Sequence, residues 1–126
     1  MTESSPDVVI IGGGVAGASL GIVLARAGLS VALVEREATF RDRVRGDSMF
    51  SWGAAIAQEL GIHDLLAAGG ARPLPVWQIY DGGMPSEAYV WGEDIPTPDV
   101  VWGVYLPQLQ ETLLDAAREA GVTVLR

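Results

Sequence analysis

The sequence predicts an α/β fold. A β-α-β unit opens a parallel sheet, and a partial set of antiparallel strands is inserted before the chain returns to it. Three observations predict this. The branched apolar run Val8-Val9-Ile10-Ile11 meets a glycine cluster, and apolar residues at Leu20, Val23, Leu24 and Ala27 then follow at helical spacing. A second apolar run, Val31-Ala32-Leu33-Val34, comes after Gly28 and ends on Glu35. Beyond Pro73 the pattern changes to strand-forming residues with glycine-, aspartate- and proline-rich turns, and a last helix–strand pair restores the α/β order.

Four branched residues in a row suit a strand buried on both faces. The glycines after it fit G-x-G-x-x-G at Gly12, Gly14 and Gly17. Gly12 lets the chain turn sharply out of the strand. Gly14 removes a side chain so that a pyrophosphate can reach the backbone, and Gly17 lets the helix lie close to the sheet. The helix starts inside the motif, through Val15 and Ala16, so its free N–H groups and positive dipole end face the phosphates. A glycine triplet alone also occurs in plain strand–helix turns. Glu35, eighteen residues past Gly17, raises the match, because a parallel second strand delivers a carboxylate there to a ribose hydroxyl pair.

Residues 36–47 hold four of the eight arginines and lack periodicity, so a loop with at most one helical turn is expected. One or two of these arginines can reach back to phosphates; otherwise the stretch is a solvated connector. Ser51 reads as a helix N-cap, with Trp52, Ala55, Ile56 and Leu60 on one face and Gly61 as terminator. Residues 62–68 form a second short helix ended by Gly69-Gly70, and His63 near its start is a cap or surface residue. Residues 76–80, 87–91 and 100–105 read as strands carrying Trp77, Trp91 and Trp102, which pack the sheet or wall a ligand. Pro107 suits a first helical position, and Leu109, Leu113, Leu114 and Ala117 form an apolar stripe that Gly121 closes before the strand 122–125.

Composition narrows the chemistry. The chain has 126 residues, a net charge of −8, no cysteine, one histidine, and no lysine among its eight positive side chains. Without lysine there is no Walker-type phosphate loop and no Schiff base. Without cysteine there is no thiolate nucleophile, redox disulfide or thiolate metal site, and one histidine excludes a multi-histidine metal centre. The acidic balance disfavours nucleic acid and anionic membranes as partners. No basic-flanked leader or apolar span stands out, so no integral membrane segment is expected and the cytoplasm is the expected location.

With these motifs laid out, the chain resembles the flavin-dependent aromatic hydroxylases, the para-hydroxybenzoate hydroxylase class, along roughly their first third. The matching features are Gly12-Gly13-Gly14-Val15-Ala16-Gly17, Glu35-Arg36, Arg43-Val44-Arg45-Gly46, Leu60-Gly61-Ile62, and the Leu109/Leu113 helix leading to Gly121-Val122-Thr123-Val124. The resemblance implies a Rossmann-like FAD-binding domain of the glutathione-reductase type. Its N-terminal part would comprise a β-α-β unit over 7–36, an arginine loop and helices over 37–70, inserted strands over 75–105, and a helix–strand return over 107–125. It also implies that Gly12, Gly14, Val15, Ala16 and Gly17 hold the FAD pyrophosphate, that Glu35 binds the ribose, and that Arg36 beside it is a cofactor-binding residue. Arg45 would contact the cofactor between phosphates and flavin, and Val124 and Leu125 would run beside the adenine. Where that family carries an arginine or glutamine that touches FAD, this chain has Leu106, and Gln108 is close enough to substitute.

The activity implied by the resemblance is that of an FAD-dependent monooxygenase, which uses NAD(P)H and O2 to hydroxylate an organic, aromatic substrate. No catalytic residue falls in this segment, since the cofactor carries the chemistry. The alternatives are an NAD-linked dehydrogenase, another flavin enzyme such as a reductase or halogenase, and a non-catalytic nucleotide-binding module. Glu35 disfavours NADP as the ligand, because a carboxylate repels a 2′-phosphate, but it does not separate NAD from FAD. The family's later motifs would lie past Arg126, so the sequence reads as the front piece of a longer protein. By itself it is expected to associate through exposed apolar edges and to lack turnover.

Overall fold

The computed structural model describes residues 5–44, 47–97 and 99–126. In chain order the elements are β1 (Val8–Ile11), α1 (Val15–Arg26), β2 (Val31–Val34), β3 (Ser48–Met49), α2 (Ser51–Glu59) and α3 (Asp64–Ala68). They continue with β4 (Arg72–Leu74), β5 (Val76–Asp81), β6 (Met84–Val90), β7 (Val101–Gly103), α4 (Leu106–Glu119) and β8 (Thr123–Leu125). They fall into two compact units, Met1–Arg43 with Leu106–Arg126, and Val44–Tyr105.

The first unit is a three-stranded parallel sheet in the order β1-β2-β8. Side chains alternate across a strand, so Ile10, Val31 and Leu33 fall on one face. They are buried there with Ile22 of α1 and Leu109, Leu113, Leu114 and Ala117 of α4. The opposite face stays open, with Val9 56% and Ile11 81% exposed. Burial on both faces of the first strand is therefore not met within the described residues, because the helices cover one side only. The α4 stripe is the expected one, although the helix starts at Leu106 and places Pro107 second. A proline is tolerated there because first-turn N–H groups have no helical partner. In α1 the buried residues are Ala18, Ser19, Gly21 and Ile22, and Leu20 is exposed. The expected Leu20/Val23/Leu24/Ala27 stripe is displaced because small residues let this helix lie close to the sheet.

The second unit has an antiparallel sheet in the order β3-β7-β4 and a separate hairpin, β5-β6. The hairpin closes through Gly82-Gly83, both at positive φ, which a two-residue hairpin turn of this kind requires. Observed strand limits differ from expectation at the ends. Trp91 falls outside β6 and makes an isolated bridge with Ile95. In α2 the N-cap is Phe50, not Ser51, and the buried residues are Ser51, Ala54 and Ala57. Trp52 is 64% and Ile56 51% exposed, so the expected Trp52/Ala55/Ile56/Leu60 face is not the packed one. Small residues at every third position turn the other side of the helix inward. His63 holds the N-cap position of α3 without a side-chain cap bond, and its Nε2 lies 2.8 Å from Asp99 Oδ2. No described residue of 36–47 is helical.

Candidate dinucleotide-binding site

Gly12 and Gly14 lie between β1 and α1, at the carboxyl end of the parallel strands, and Gly17 in the first turn of α1; each can be tested against its surroundings. Gly12 has φ +103°, a backbone conformation that favours glycine. A Cβ on Gly17 would stand 1.9 Å from the Gly12 carbonyl oxygen. These two positions are demanded by the protein itself. Gly14 is not: its φ is −67°, and the nearest atom to an added Cβ is Gln110 Nε2 at 3.7 Å, an ordinary contact. Space is thus left open at the one glycine where a pyrophosphate would approach. Gly13, an unspecified position of the motif, proves tightly packed, with an added Cβ 2.6 Å from Leu114 Cδ1.

The start of α1 is bare. Gly14 offers no side-chain cap, and no acidic residue stands in the first turn. The helical ladder begins with Ala18 N–H donating to the Gly14 carbonyl at 2.9 Å. The N–H groups of Val15, Ala16 and Gly17 precede it and have no carbonyl one turn back, which makes this end a donor set for an anion.

Glu35 is buried at the end of β2, where its Oε2 accepts the Gly13 N–H at 2.6 Å and its Oε1 the Glu37 N–H at 2.8 Å. Burial pushes its carboxyl up. Backbone donors at Glu37, Gly13 and Arg36, with the charge of Arg126, outweigh this and hold it below the ordinary carboxylate range. The result is an ionised acceptor tied to the glycine loop, with lone pairs left for hydroxyl donors. Val124 and Leu125 lie opposite Leu33 and Val34, and the Leu125 carbonyl accepts the Glu35 N–H at 2.8 Å. The structure therefore brings Gly12, Gly14, Val15, Ala16, Gly17, Glu35, Val124 and Leu125 to one edge of one unit.

Other expected residues are less engaged. The Arg36 side chain is 84% exposed, 3.5 Å from Glu37, and Arg43 Nη2 donates to Glu37 Oε1 at 2.7 Å. Arg45 lies outside the described residues. Gln108 is exposed on the first turn of α4, and Gln110, which no sequence motif marks, is the side chain beside Gly14. The available signal was spacing, since Gln110 shares a helical face with buried Pro107 and Leu114. In the second unit an apolar cavity of about 270 Å³ is lined by Phe50, Trp77, Ile79, Tyr89, Trp91 and Ile95. Trp102 stands instead edge-on to His63. Among the described residues, no group of three metal-binding side chains occurs, and no helix is long and apolar enough to cross a membrane.

An uncapped helix start, an open glycine and an ionised carboxylate at the end of the second strand fit the ADP portion of a dinucleotide such as FAD. Comparison with known proteins narrows the choice. Squalene monooxygenase of Rattus norvegicus is 33% identical over 87 residues, which are 69% of this chain and 15% of that protein. The fold is shared with the flavin-dependent monooxygenase PieE, solved with FAD and substrate, at a TM-score of 0.71 and 24% identity over 97% of this chain and 24% of that one. It is also shared with p-nitrophenol 4-monooxygenase PnpA from Pseudomonas putida DLL-E4, at a TM-score of 0.77 and 20% identity over 92% of this chain and 30% of that one. The chain thus spans less than a third of each of these proteins. The FAD binding domain family matches residues 5–126, nearly the whole length, and the chain belongs to that family.

Proposed function

We propose that this chain binds the ADP moiety of FAD for a monooxygenase that uses NAD(P)H and O2 to hydroxylate an organic substrate. The carrying observation is the pairing of Gly14, open to a ligand, with Glu35, ionised and fixed beside the same loop. In this reading the N–H groups at Gly14–Gly17 hold the pyrophosphate and Glu35 accepts from the ribose hydroxyls. Val124 and Leu125 flank the adenine, Arg36 and Gln108 add further contacts, and Arg45 is assigned, by the family resemblance, to the stretch between phosphates and flavin. Bound FAD would supply the redox chemistry, taking hydride from NAD(P)H and activating O2 for transfer of one oxygen atom. The chain's own residues bind and orient; none is assigned a catalytic proton. A cytoplasmic location, and association of the isolated 126 residues through exposed apolar edges, belong to the same proposal.

An aromatic substrate is the first reading, supported by the fold shared with p-nitrophenol 4-monooxygenase. A specific observation favours a second one, an apolar polyene. The relative at 33% identity is a squalene monooxygenase, and the aromatic cavity carries no charged side chain. Flavin content tests the common part. The purified full-length protein should be yellow and release FAD on denaturation, and Glu35→Ala in it should weaken FAD binding by about 1.5–3 kcal/mol for a lost charge-assisted hydrogen bond. A colourless protein that takes up NAD in place of FAD would overturn the assignment.

A further inference from the structure

Glu35 is supported from beyond its own strand. The Glu37 N–H that donates to Glu35 Oε1 belongs to a residue whose carbonyl accepts Arg126 Nε at 2.9 Å. The two terminal nitrogens of Arg126 donate to the two oxygens of Glu111 at 2.8 and 2.9 Å. Glu111 Oε1 also accepts the Phe40 N–H at 3.0 Å, and the Arg126 guanidinium lies over the Phe40 ring, 4.9 Å from its centroid. One bidentate pair thus fastens the loop after β2, the helix α4 and the residue following β8. The Arg126 side chain is 17% exposed, whereas Arg118 and Asp115, paired on the same helix, are 40% and 66% exposed. The Glu111 side chain is 35% exposed, so the pair is half-sheltered, and its two-pronged fork-to-carboxylate contact fixes geometry as a single contact does not. Hydrogen bonding from Arg126 is the largest influence holding the Glu111 carboxyl below its ordinary range.

We propose that Arg126 and Glu111 are positioning residues for the ribose-binding carboxylate: by clamping the loop after β2 they hold the backbone at Glu37, and through its N–H the orientation of Glu35. The inference rests on the FAD reading above. Without the clamp the backbone on both sides of the Glu37 Cα is held less firmly, Glu35 loses a fixed donor, and a ligand must order the carboxylate as it binds.

The test is titration of flavin-stripped protein with FAD and with an FAD analogue lacking the adenosine 2′-hydroxyl. Arg126→Met should bind FAD about tenfold more weakly, the lower end of what is lost when a partner that orients a metal ligand is removed. It should also discriminate less between the two ligands. Arg126→Lys, which keeps the charge but not the fork, and Glu111→Gln should fall between it and wild type, and Arg118→Met should match wild type. If the clamp variants lose thermal stability or overall affinity but keep the full discrimination ratio, the pair is structural only and the proposal is overturned. Glu35→Ala separates the two levels. If it collapses the ratio while the clamp variants do not, only the positioning role fails; if it leaves the ratio intact, the ribose reading fails and the proposal with it.

Discussion

A methyl group added at Gly17 would lie 1.9 Å from the Gly12 carbonyl oxygen, whereas one added at Gly14 would meet nothing nearer than 3.7 Å. Gly17→Ala should therefore cost about 1–3 kcal/mol or more, because backbone must move to admit the side chain. Gly14→Ala should cost about 1 kcal/mol or less, the scale of a changed helix cap, while Gly14→Val abolishes FAD binding in a protein that still folds. Thermal unfolding and flavin titration of the three variants check this, and equal unfolding of the Gly14 and Gly17 variants would remove the cofactor rationale for Gly14. The positions of Gly12, Gly17 and Glu35 were legible in the sequence because their tasks are local. The packing of Gly13 was not, since it depends on Leu114, which arrives from the far end of the chain. Ser51 shows how residue type can mislead: it stands inside α2, and its buried Oγ has no partner among the described residues. Ser51→Ala should accordingly leave stability unchanged or raise it, by up to about 1–3 kcal/mol, the scale of a buried polar group without a partner. A loss of about 1 kcal/mol on denaturant unfolding would instead point to a capping role.

At the scale of elements, α4 was readable because its core contacts are large. Leu109, Leu113 and Leu114 recur at helical spacing, and all are buried. The inward sides of α1 and α2 consist of alanine, serine and glycine with a single isoleucine, so no hydrophobic period marks them. Strands β3 and β4 have two and three residues, and β4 contains Pro73, too little for alternation to register. The energetics should divide in the same way. Leu114→Ala, at a fully buried site, should cost about 2–5 kcal/mol. Ile56→Ala, on the exposed side of α2, should cost about 0.5 kcal/mol. Urea unfolding of both variants decides, and comparable losses would mean that the apolar side of α2 is covered in solution.

For the whole molecule, acid is the informative perturbation. The Glu111 and Glu35 carboxyls are both held below their ordinary value of 4.5 in the fold. The unfolded chain therefore takes up protons more readily at these sites. Their stabilisation is complete above about pH 4.5 and is lost as the pH falls through the depressed folded values. Urea midpoints measured from neutral pH downward should show wild type more stable than Glu111→Gln at pH 7, with the difference closing in acid. A difference that persists at low pH would mean that the charge of Glu111 is not what ties the loop. The division into two units also imposes an order in time. Residues 44–105 form one continuous stretch, while the first unit needs both 1–43 and 106–126. At roughly 5–20 residues per second, β1, α1 and β2 wait roughly 5–18 s during synthesis until α4 and β8 are complete. Through that interval Ile10 and Leu33 are covered by α1 alone, without the apolar stripe of α4, and the nascent chain is most exposed to aggregation and to chaperones.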